Sequence, residues 1–487
     1  MSGKSGKSVK LNAVLNGIKE IMAILFPMIT FPYVSNLLGS ANYGVYTFSS
    51  SIVSYISYIA AAGIMRYAIR EVARVRDDKP KCQKLVNEIF TINVITTVFA
   101  FVLLIGLVIF WPKLHYYAPV IFMLSLMIMF ITFGADWINS AHEDYVYITI
   151  RYIISQSLAL GLLFLLVRTP DDVVQYAFVT AFGVILPNII NRFHIRRKYG
   201  IKLKISINNE LKKHIKPIAF LFACSIGTFI YINSDVTVLG IFFDDSVTGY
   251  YGVSVKFYML IKQVVAAAFT VLIPRISHEM TKDGSKSKET LEKILHFTIL
   301  TAVPAAVGLI MVRKNLIAVF PGEEYARSQS SLMILGLAII PALLANFFIN
   351  IVMIPMRLEK KVMYATLISA GINLALNIIF IPIFAENAAA VTTLVAEIVM
   401  VFLGWLWSRD QHLLGGVLKP IAVSAAGAAG IFGICYCATH YLNGALWQMI
   451  VAVAVSVVFY GVVLLIFYRK MIIDFIKNLK KKKSGEK

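Results

Sequence analysis

Apolar runs of about twenty residues, the length a helix needs to cross the hydrocarbon core of a bilayer, recur along this chain almost from one end to the other. Fourteen candidate spans lie near residues 11–38, 43–65, 87–111, 117–137, 146–167, 173–193, 216–240, 248–274, 294–312, 329–356, 361–384, 388–407, 420–439 and 446–468. A backbone in lipid has no water to bond, so each run is expected to be a helix that pairs its own N–H and C=O groups. Composition agrees. Hydrophobic residues make up 59% of the 487 positions and charged residues 15%, with a mean hydropathy of +0.76, against about half and a quarter in a soluble domain. The first run is long, and Pro27 and Pro32 are expected to break it. Lys4, Lys7 and Lys10 precede it as in a signal peptide, but Lys19-Glu20 interrupts the apolar stretch and no small-x-small cleavage site follows. An uncleaved first span is therefore expected.

A net charge of +20 invites the reading of a nucleic-acid binder, and the positions of the charges argue against it. With the N-terminus inside, the cytoplasmic tails, loops and span ends hold 38 of the 46 Lys and Arg. The outer segments hold five, and Lys19, Lys256 and Lys262 lie within spans. This is the positive-inside pattern of a bacterial cytoplasmic-membrane protein with both termini inside and an even number of spans. The Lys480–Lys483 tail adds attraction to anionic lipid. No nucleic-acid partner is expected.

The chain also repeats itself. The first hairpin reads Leu38-Gly39-Ser40-Ala41-Asn42-Tyr43-Gly44-Val45-Tyr46, and the seventh-to-eighth hairpin reads Leu239-Gly240 and then Thr248-Gly249-Tyr250-Tyr251-Gly252. Gly44 pairs with Gly249, Tyr46 with Tyr251 and Arg70 with Arg275 at an offset of 205, while Gly39 pairs with Gly240 at 201. Six spans separate the copies, which gives both the same orientation, the parallel kind of repeat whose halves rock about a central site. The expected organisation is a tail at 1–10, lobes at 11–214 and 215–412, an accessory span pair at 413–470 and a basic tail at 471–487. In the accessory pair, Ala425, Ala426, Gly427 and Gly430 suit close packing in lipid. Cys82, Cys224, Cys435 and Cys437 show neither metal-ligand nor disulfide spacing and are expected to be small core residues.

Several segments together resemble the Wzx-type polysaccharide flippases of the multidrug/oligosaccharidyl-lipid/polysaccharide exporter superfamily. Asp136-Trp137 through Glu143-Asp144-Tyr145 and Arg151 to Leu166 and Asp172 is similar to their fourth-to-sixth-span region. Pro32 to Gly39 with Tyr43-Gly44-Val45-Tyr46 is similar to their first hairpin. Asp235 to Gly240, Gly249 to Tyr251, Lys256 and Pro274-Arg275 are similar to their seventh and eighth spans. The resemblance covers about residues 11–410. It implies an all-α integral membrane protein of about fourteen transmembrane helices, with two six-helix lobes around a central cavity that opens alternately to each side. It implies as substrate an undecaprenyl-diphosphate-linked oligosaccharide moved outward, and polysaccharide polymerase machinery stands as a candidate partner. Many members carry Arg where this chain has Asn36, so no substrate role carries over to that position.

The charges inside apolar spans are the candidate site. A charge at membrane depth costs at least about 2.5–3.5 kcal/mol on insertion scales, so it faces a cavity or a partner. Lys262 lies about 18 Å from the outer end of its span, Lys256 about 9 Å in, and Lys19 about 12 Å in from the cytoplasmic side. Each either lines a cationic cavity, for which a diphosphate is the natural counter-ion, or snorkels or pairs within the membrane, as Lys19 could with Glu397. Arg66, Arg70, Arg151 and Arg275 sit at cytoplasmic span ends, either as topology residues or as a vestibule whose forked guanidinium groups suit phosphate oxygens. Glu397 and Asp235 are candidate ion-coupling carboxylates, and Asp235 has a second reading as a hydrogen bond to the repeat hairpin. The pairs Asn346/Asn350 and Asn373/Asn377 read as interhelical hydrogen bonds or as cavity polarity suited to sugars.

Three function classes follow. The first is an oligosaccharide-lipid flippase. The second is an ion-coupled small-molecule antiporter of the same superfamily, which should prefer acidic cavity residues to lysines. The third is a membrane glycosyltransferase or polymerase, which usually needs a sizeable outer loop or a carboxylate cluster. No phosphate-cradling Gly loop occurs, and no catalytic residue, cofactor or metal site is expected.

Overall fold

The computed structural model describes residues 3–270, 284–411, 413 and 415–484. Its helices are α1 (Gly3–Ala61), α2 (Ile64–Val75), α3 (Lys79–Phe110), α4 (Lys113–Gly134), α5 (Trp137–Ala141), α6 (Tyr145–Leu166), α7 (Val173–Tyr199), α8 (Lys212–Phe242), α9 (Asp245–Thr270), α10 (Gly284–Val319), α11 (Ser328–Asn346), α12 (Glu359–Ser408), α13 (Leu418–Tyr441) and α14 (Ala445–Ser484). No strand occurs among the described residues. Ten helical stretches there are long and apolar enough to cross a membrane, and α8, bent by 44°, makes an eleventh.

Two of those stretches are too long for one crossing. At 1.5 Å per residue, the 59 residues of α1 would run about 90 Å, three times the hydrocarbon core. Gly39 divides it, with φ 68° and ψ 175°, a region an L side chain avoids. Ala385 divides α12 in the same way, at φ 49° and ψ −134°. The expected break at Pro27 and Pro32 does not occur, because the backbone stays helical across both. A proline forfeits one helical hydrogen bond without forcing non-helical dihedrals, whereas the extended ψ of Gly39 cannot be absorbed into a helix.

Cα packing divides the chain into two compact units. One comprises Met1–Val253 with Thr366–Thr392, the other Ser254–Ala365 with Thr393–Lys487. In the first, the limb of α1 after Gly39 buries Phe48, Ile52 and Ile56 against Leu104 of α3 and Leu114, Ile121 and Leu124 of α4. A second cluster gathers Tyr67 and Val72 of α2, Val86 and Ile89 of α3, Trp137 and Ile138 of α5, and Ile201 and Leu203 of the linker before α8.

That linker is strapped to α3. Gln83, Asn87 and Thr91 stand one turn apart on α3. Gln83 donates to the Lys202 carbonyl (2.7 Å) and accepts from the Lys202 N–H (2.9 Å), Asn87 accepts from the Lys204 N–H (3.1 Å), and Thr91 accepts from the Ser206 N–H (2.8 Å). Eight residues of helix rise about 12 Å and four of extended chain about 13 Å, so the polar stripe keeps register with every second linker residue.

The two hairpins of the repeat also meet within this unit. A Cβ on Gly44 would overlap the Asp245 carbonyl oxygen and lie 3.0 Å from the Gly249 nitrogen, while a Cβ on Gly249 would overlap the Ser40 carbonyl oxygen and lie 3.3 Å from the Gly44 nitrogen. Ser40 and Asp245 are themselves 205 apart, so the contact is reciprocal, as in a two-fold interface.

In the second unit, Leu291, Leu295 and Ile299 of α10 pack on Phe347, Phe348 and Ile351 of a π-helical turn that continues α11. Rings of α14 sit directly on glycines of α13, Tyr460 on Gly427 and Phe459 on Gly430. The Tyr460 hydroxyl donates to the Leu300 carbonyl of α10 (2.6 Å). Cys82 and Cys435 are buried as expected, but Cys437 is exposed, because two residues along a helix turn the side chain to another face.

Candidate functional site

The second unit holds two of the three lysines expected within spans, both on α9, a helix that is not among the stretches long and apolar enough to cross a membrane. Lys262 Nζ lies 2.5 Å from Glu397 Oε1 on α12, and the Tyr258 hydroxyl donates to the same oxygen at 2.8 Å. The ammonium also stands 5.4 Å from the centre of the Tyr258 ring, a cation–π distance. The Glu397 side chain is 4% exposed and that of Lys262 23%. The partner of Glu397 is therefore Lys262, not Lys19. Lys256, half-buried and one and two-thirds turns earlier, has no ion-pair or hydrogen-bond partner among the described residues. Six residues turn the helix by about 600°, which sets the two lysines about 120° apart, so Glu397 serves only one of them.

In the first unit, Asp235 is buried, 5% exposed, in a network of hydroxyls and amides. Tyr251 donates to Oδ2 (2.7 Å) and Asn377 Nδ2 to Oδ1 (2.6 Å). Ser234 donates to Asn373 Oδ1 (2.8 Å), and the Thr392 hydroxyl donates to Asn377 Oδ1. Tyr251 is the repeat tyrosine, so Asp235 accepts a hydrogen bond from the repeat hairpin. Asn373 and Asn377 link α12 to α8, as interhelical bonding requires. The network nevertheless collects oxygens of Asp235, Asn373, Asn377, Thr392 and Ser234 in one buried place, a hard donor set of the kind small cations take. Asn350 donates to Asn346 (3.0 Å) and closes the other pair on itself.

Among the described residues, the arginines expected at cytoplasmic span ends are not gathered in one place. Arg66 and Arg70 share the exposed face of α2, and Arg70 is paired with Glu71 at 2.9 Å. Arg151 is buried on α6, where Nη2 binds Asp136 Oδ1 at 2.7 Å and the guanidinium lies over the Tyr147 ring at 5.1 Å. Its Nε and Nη1 have no hydrogen-bond partner among the described residues. Arg151 is thus already ion-paired, with Asp136, which lies just before α5 and whose side chain is 33% exposed. Lys19 is half-buried in α1 without an ion pair among the described residues. Arg275 lies outside the described residues.

One cluster escaped the sequence reading. His214, 2% exposed at the start of α8, places Nδ1 2.5 Å from the Tyr67 hydroxyl and Nε2 2.9 Å from Glu88 Oε2, and Glu88 is 1% exposed. Lys213 adds a contact to Glu88 at 3.2 Å. This buried chain pins α8 to α2 and α3. Glu88, a carboxylate at the very start of an apolar run, was the signal available. Nearby, Glu210 receives hydrogen bonds from Lys213 and Lys84, which pull its carboxyl down to about 2.

The second unit also holds a partly open apolar pocket of about 360 Å³, lined by Leu295, Ile299, Leu344, Phe348 and Trp405 among others.

The family model described as polysaccharide biosynthesis protein matches residues 9–280. A putative O-antigen transporter of Escherichia coli strain K12 is 22% identical over 411 residues, which are 84% of this chain and 98% of that protein. One from Shigella dysenteriae is 20% identical over 395 residues, 81% of this chain and 98% of the other. Among solved structures, lipid II flippase MurJ in its inward closed conformation superposes with a TM-score of 0.75 at 17% identity, over 95% of this chain and 99% of that one. An inward-facing multidrug resistance MATE family transporter of the MOP superfamily gives 0.62 at 13% identity, over 80% and 98%. These two share the fold.

Proposed function

Because this multi-pass bacterial membrane chain belongs to the polysaccharide biosynthesis protein family, we propose that it is a flippase that carries undecaprenyl-diphosphate-linked oligosaccharides from the cytoplasmic to the outer leaflet. The observation that carries the reading is Lys256. An ammonium group within an apolar span, with no protein carboxylate beside it among the described residues, needs an anion from elsewhere. The diphosphate of a lipid-linked sugar supplies one, and the apolar cavity by α10 and α11 suits part of a prenyl chain. The relatives named as O-antigen transporters, matched over 98% of their length, point to a cell-surface polysaccharide as the destination.

In this reading the lobes at 11–214 and 215–412 alternate access about an axis near the membrane normal, and the reciprocal Gly44–Gly249 contact supports their equivalence. Both termini are cytoplasmic. In a Cys-free background, an impermeant thiol reagent should label a cysteine placed at Asp245 in intact cells, and labelling only after permeabilisation would contradict that. The Asp235 network serves as a coupling-cation site, with Asp235 as its charge. Deleting the gene tests the function directly. A lipid-linked oligosaccharide should accumulate in the cytoplasmic leaflet, and surface polymer at the parental level without such accumulation refutes the proposal.

A further inference from the structure

We infer that Glu397 is an internal stand-in for the transported anion, holding Lys262 until an anionic lipid headgroup displaces it and recapturing Lys262 when the headgroup leaves. This rests on the flippase reading above and adds how the site lets go of what it binds. Three observations carry it. The pair is asymmetric in access, for Lys262 keeps 23% of its side chain exposed while Glu397 keeps 4%, so an incoming group meets the lysine side chain before the carboxylate. Lysine is a point charge with three donors on a flexible stem, so it can turn from one oxygen to another without the helix moving. Tyr258 donates to Glu397 Oε1 independently of Lys262, so the carboxylate retains one hydrogen bond when the ammonium turns away.

The consequence concerns release. Two free lysines along the path of a diphosphate would attract it strongly, and a strong site traps its cargo. Lys256, unpaired among the described residues, is the open attraction, and Lys262 is an attraction already partly spent on Glu397. A lysine free of its internal partner one-tenth of the time binds about tenfold more weakly than one always free. The same competition returns Lys262 to Glu397 once the headgroup moves on, which favours departure.

Binding of undecaprenyl diphosphate to the purified full-length protein in lipid nanodiscs tests this, with uncharged undecaprenol as control. Glu397→Gln should bind the diphosphate about tenfold more tightly while polymer export in cells falls. Tyr258→Phe should weaken binding about threefold, because the carboxylate then leans on Lys262 alone. The double variant Lys262→Gln/Glu397→Gln should bind like Lys262→Gln alone, since the two residues act through one pair. If Glu397→Gln is unstable on size exclusion, Tyr258→Phe and the shorter Glu397→Asp carry the test, the latter binding more tightly than wild type. Diphosphate affinity that is unchanged or weaker in Glu397→Gln, or an equal gain for undecaprenol, overturns the stand-in role and leaves the flippase reading intact. A wild-type protein that binds no undecaprenyl diphosphate, with a deletion strain that accumulates no lipid-linked oligosaccharide, overturns both.

Discussion

Replacing Gly44 with alanine should loosen the contact between the repeat hairpins by an amount the geometry bounds. The new Cβ would overlap a backbone carbonyl, that of Asp245, and a carbonyl fixed in a helix turn cannot rotate aside as a long side chain can. The hairpins must then separate by about 1 Å, the scale of overpacking that costs about 1–3 kcal/mol. Gly249→Ala meets the Ser40 carbonyl in the same way, and a similar cost is expected. The double variant should cost less than the sum, because the separation forced by one methyl group already makes room for the other. Intrinsic tryptophan fluorescence during heating of the detergent-purified protein reads the loss as a lowered midpoint, with Gly106→Ala as control, since a Cβ there meets nothing within 4 Å. Midpoints for Gly44→Ala and Gly249→Ala equal to the control, or fully additive, would refute the reciprocal contact.

Lys256→Gln should reduce polymer export while the protein still reaches the membrane, and Lys256→Arg should keep more activity; equal export by all three sinks the cationic role. His214→Ala leaves Tyr67 and Glu88 short of a buried partner, and at about 1–3 kcal/mol for each unsatisfied group the melting midpoint should fall clearly. Burial pushes the Asp144 carboxyl up, but hydrogen bonds from Lys198, His194 and Tyr199 outweigh it and hold the group below its ordinary value. A lowered folded-state value means that this contribution is complete above the usual carboxylate range, about 3.9, and is lost as the pH falls through the lowered value. The midpoint difference between wild type and Asp144→Asn should therefore shrink as the pH falls below about 4, and a constant difference from pH 5 down to pH 3 contradicts it.

The spans could be read from sequence because the cost of polar backbone in lipid is paid over twenty consecutive residues, although their ends were not: 43–65 runs past the turn at Ala62-Gly63 and 117–137 past the turn at Ala135-Asp136. The repeat glycines were readable too, because a close backbone approach tolerates no side chain and leaves glycine at the same offset in both copies. Partners were not readable in this way. Lys262 and Glu397 are 135 residues apart, and the insertion cost that flagged Lys262 flagged Lys19 and Lys256 equally. Choosing among three lysines needs helix rotations, which hydropathy does not encode. The strap on α3 was hidden for a related reason. Gln83, Asn87 and Thr91 form an ordinary polar stripe until an extended segment with matching spacing lies beside it.

Lys256 and Lys262 make the physical point most sharply. They are the same residue type on one helix, yet among the described residues only Lys262 has an internal counter-charge. If intramembrane lysines served only to stabilise the protein, the bare one would be the worse design, since an apolar side chain at position 256 would avoid the insertion cost altogether. If they served only to bind an anion as tightly as possible, Glu397 would be the worse design, since it competes for Lys262. A protein that must take up an anion and then give it up needs both, one charge to attract and one whose attraction is partly cancelled. On that argument, removing the cancellation should harm transport through overly tight binding, the opposite of what losing an ordinary stabilising salt bridge predicts.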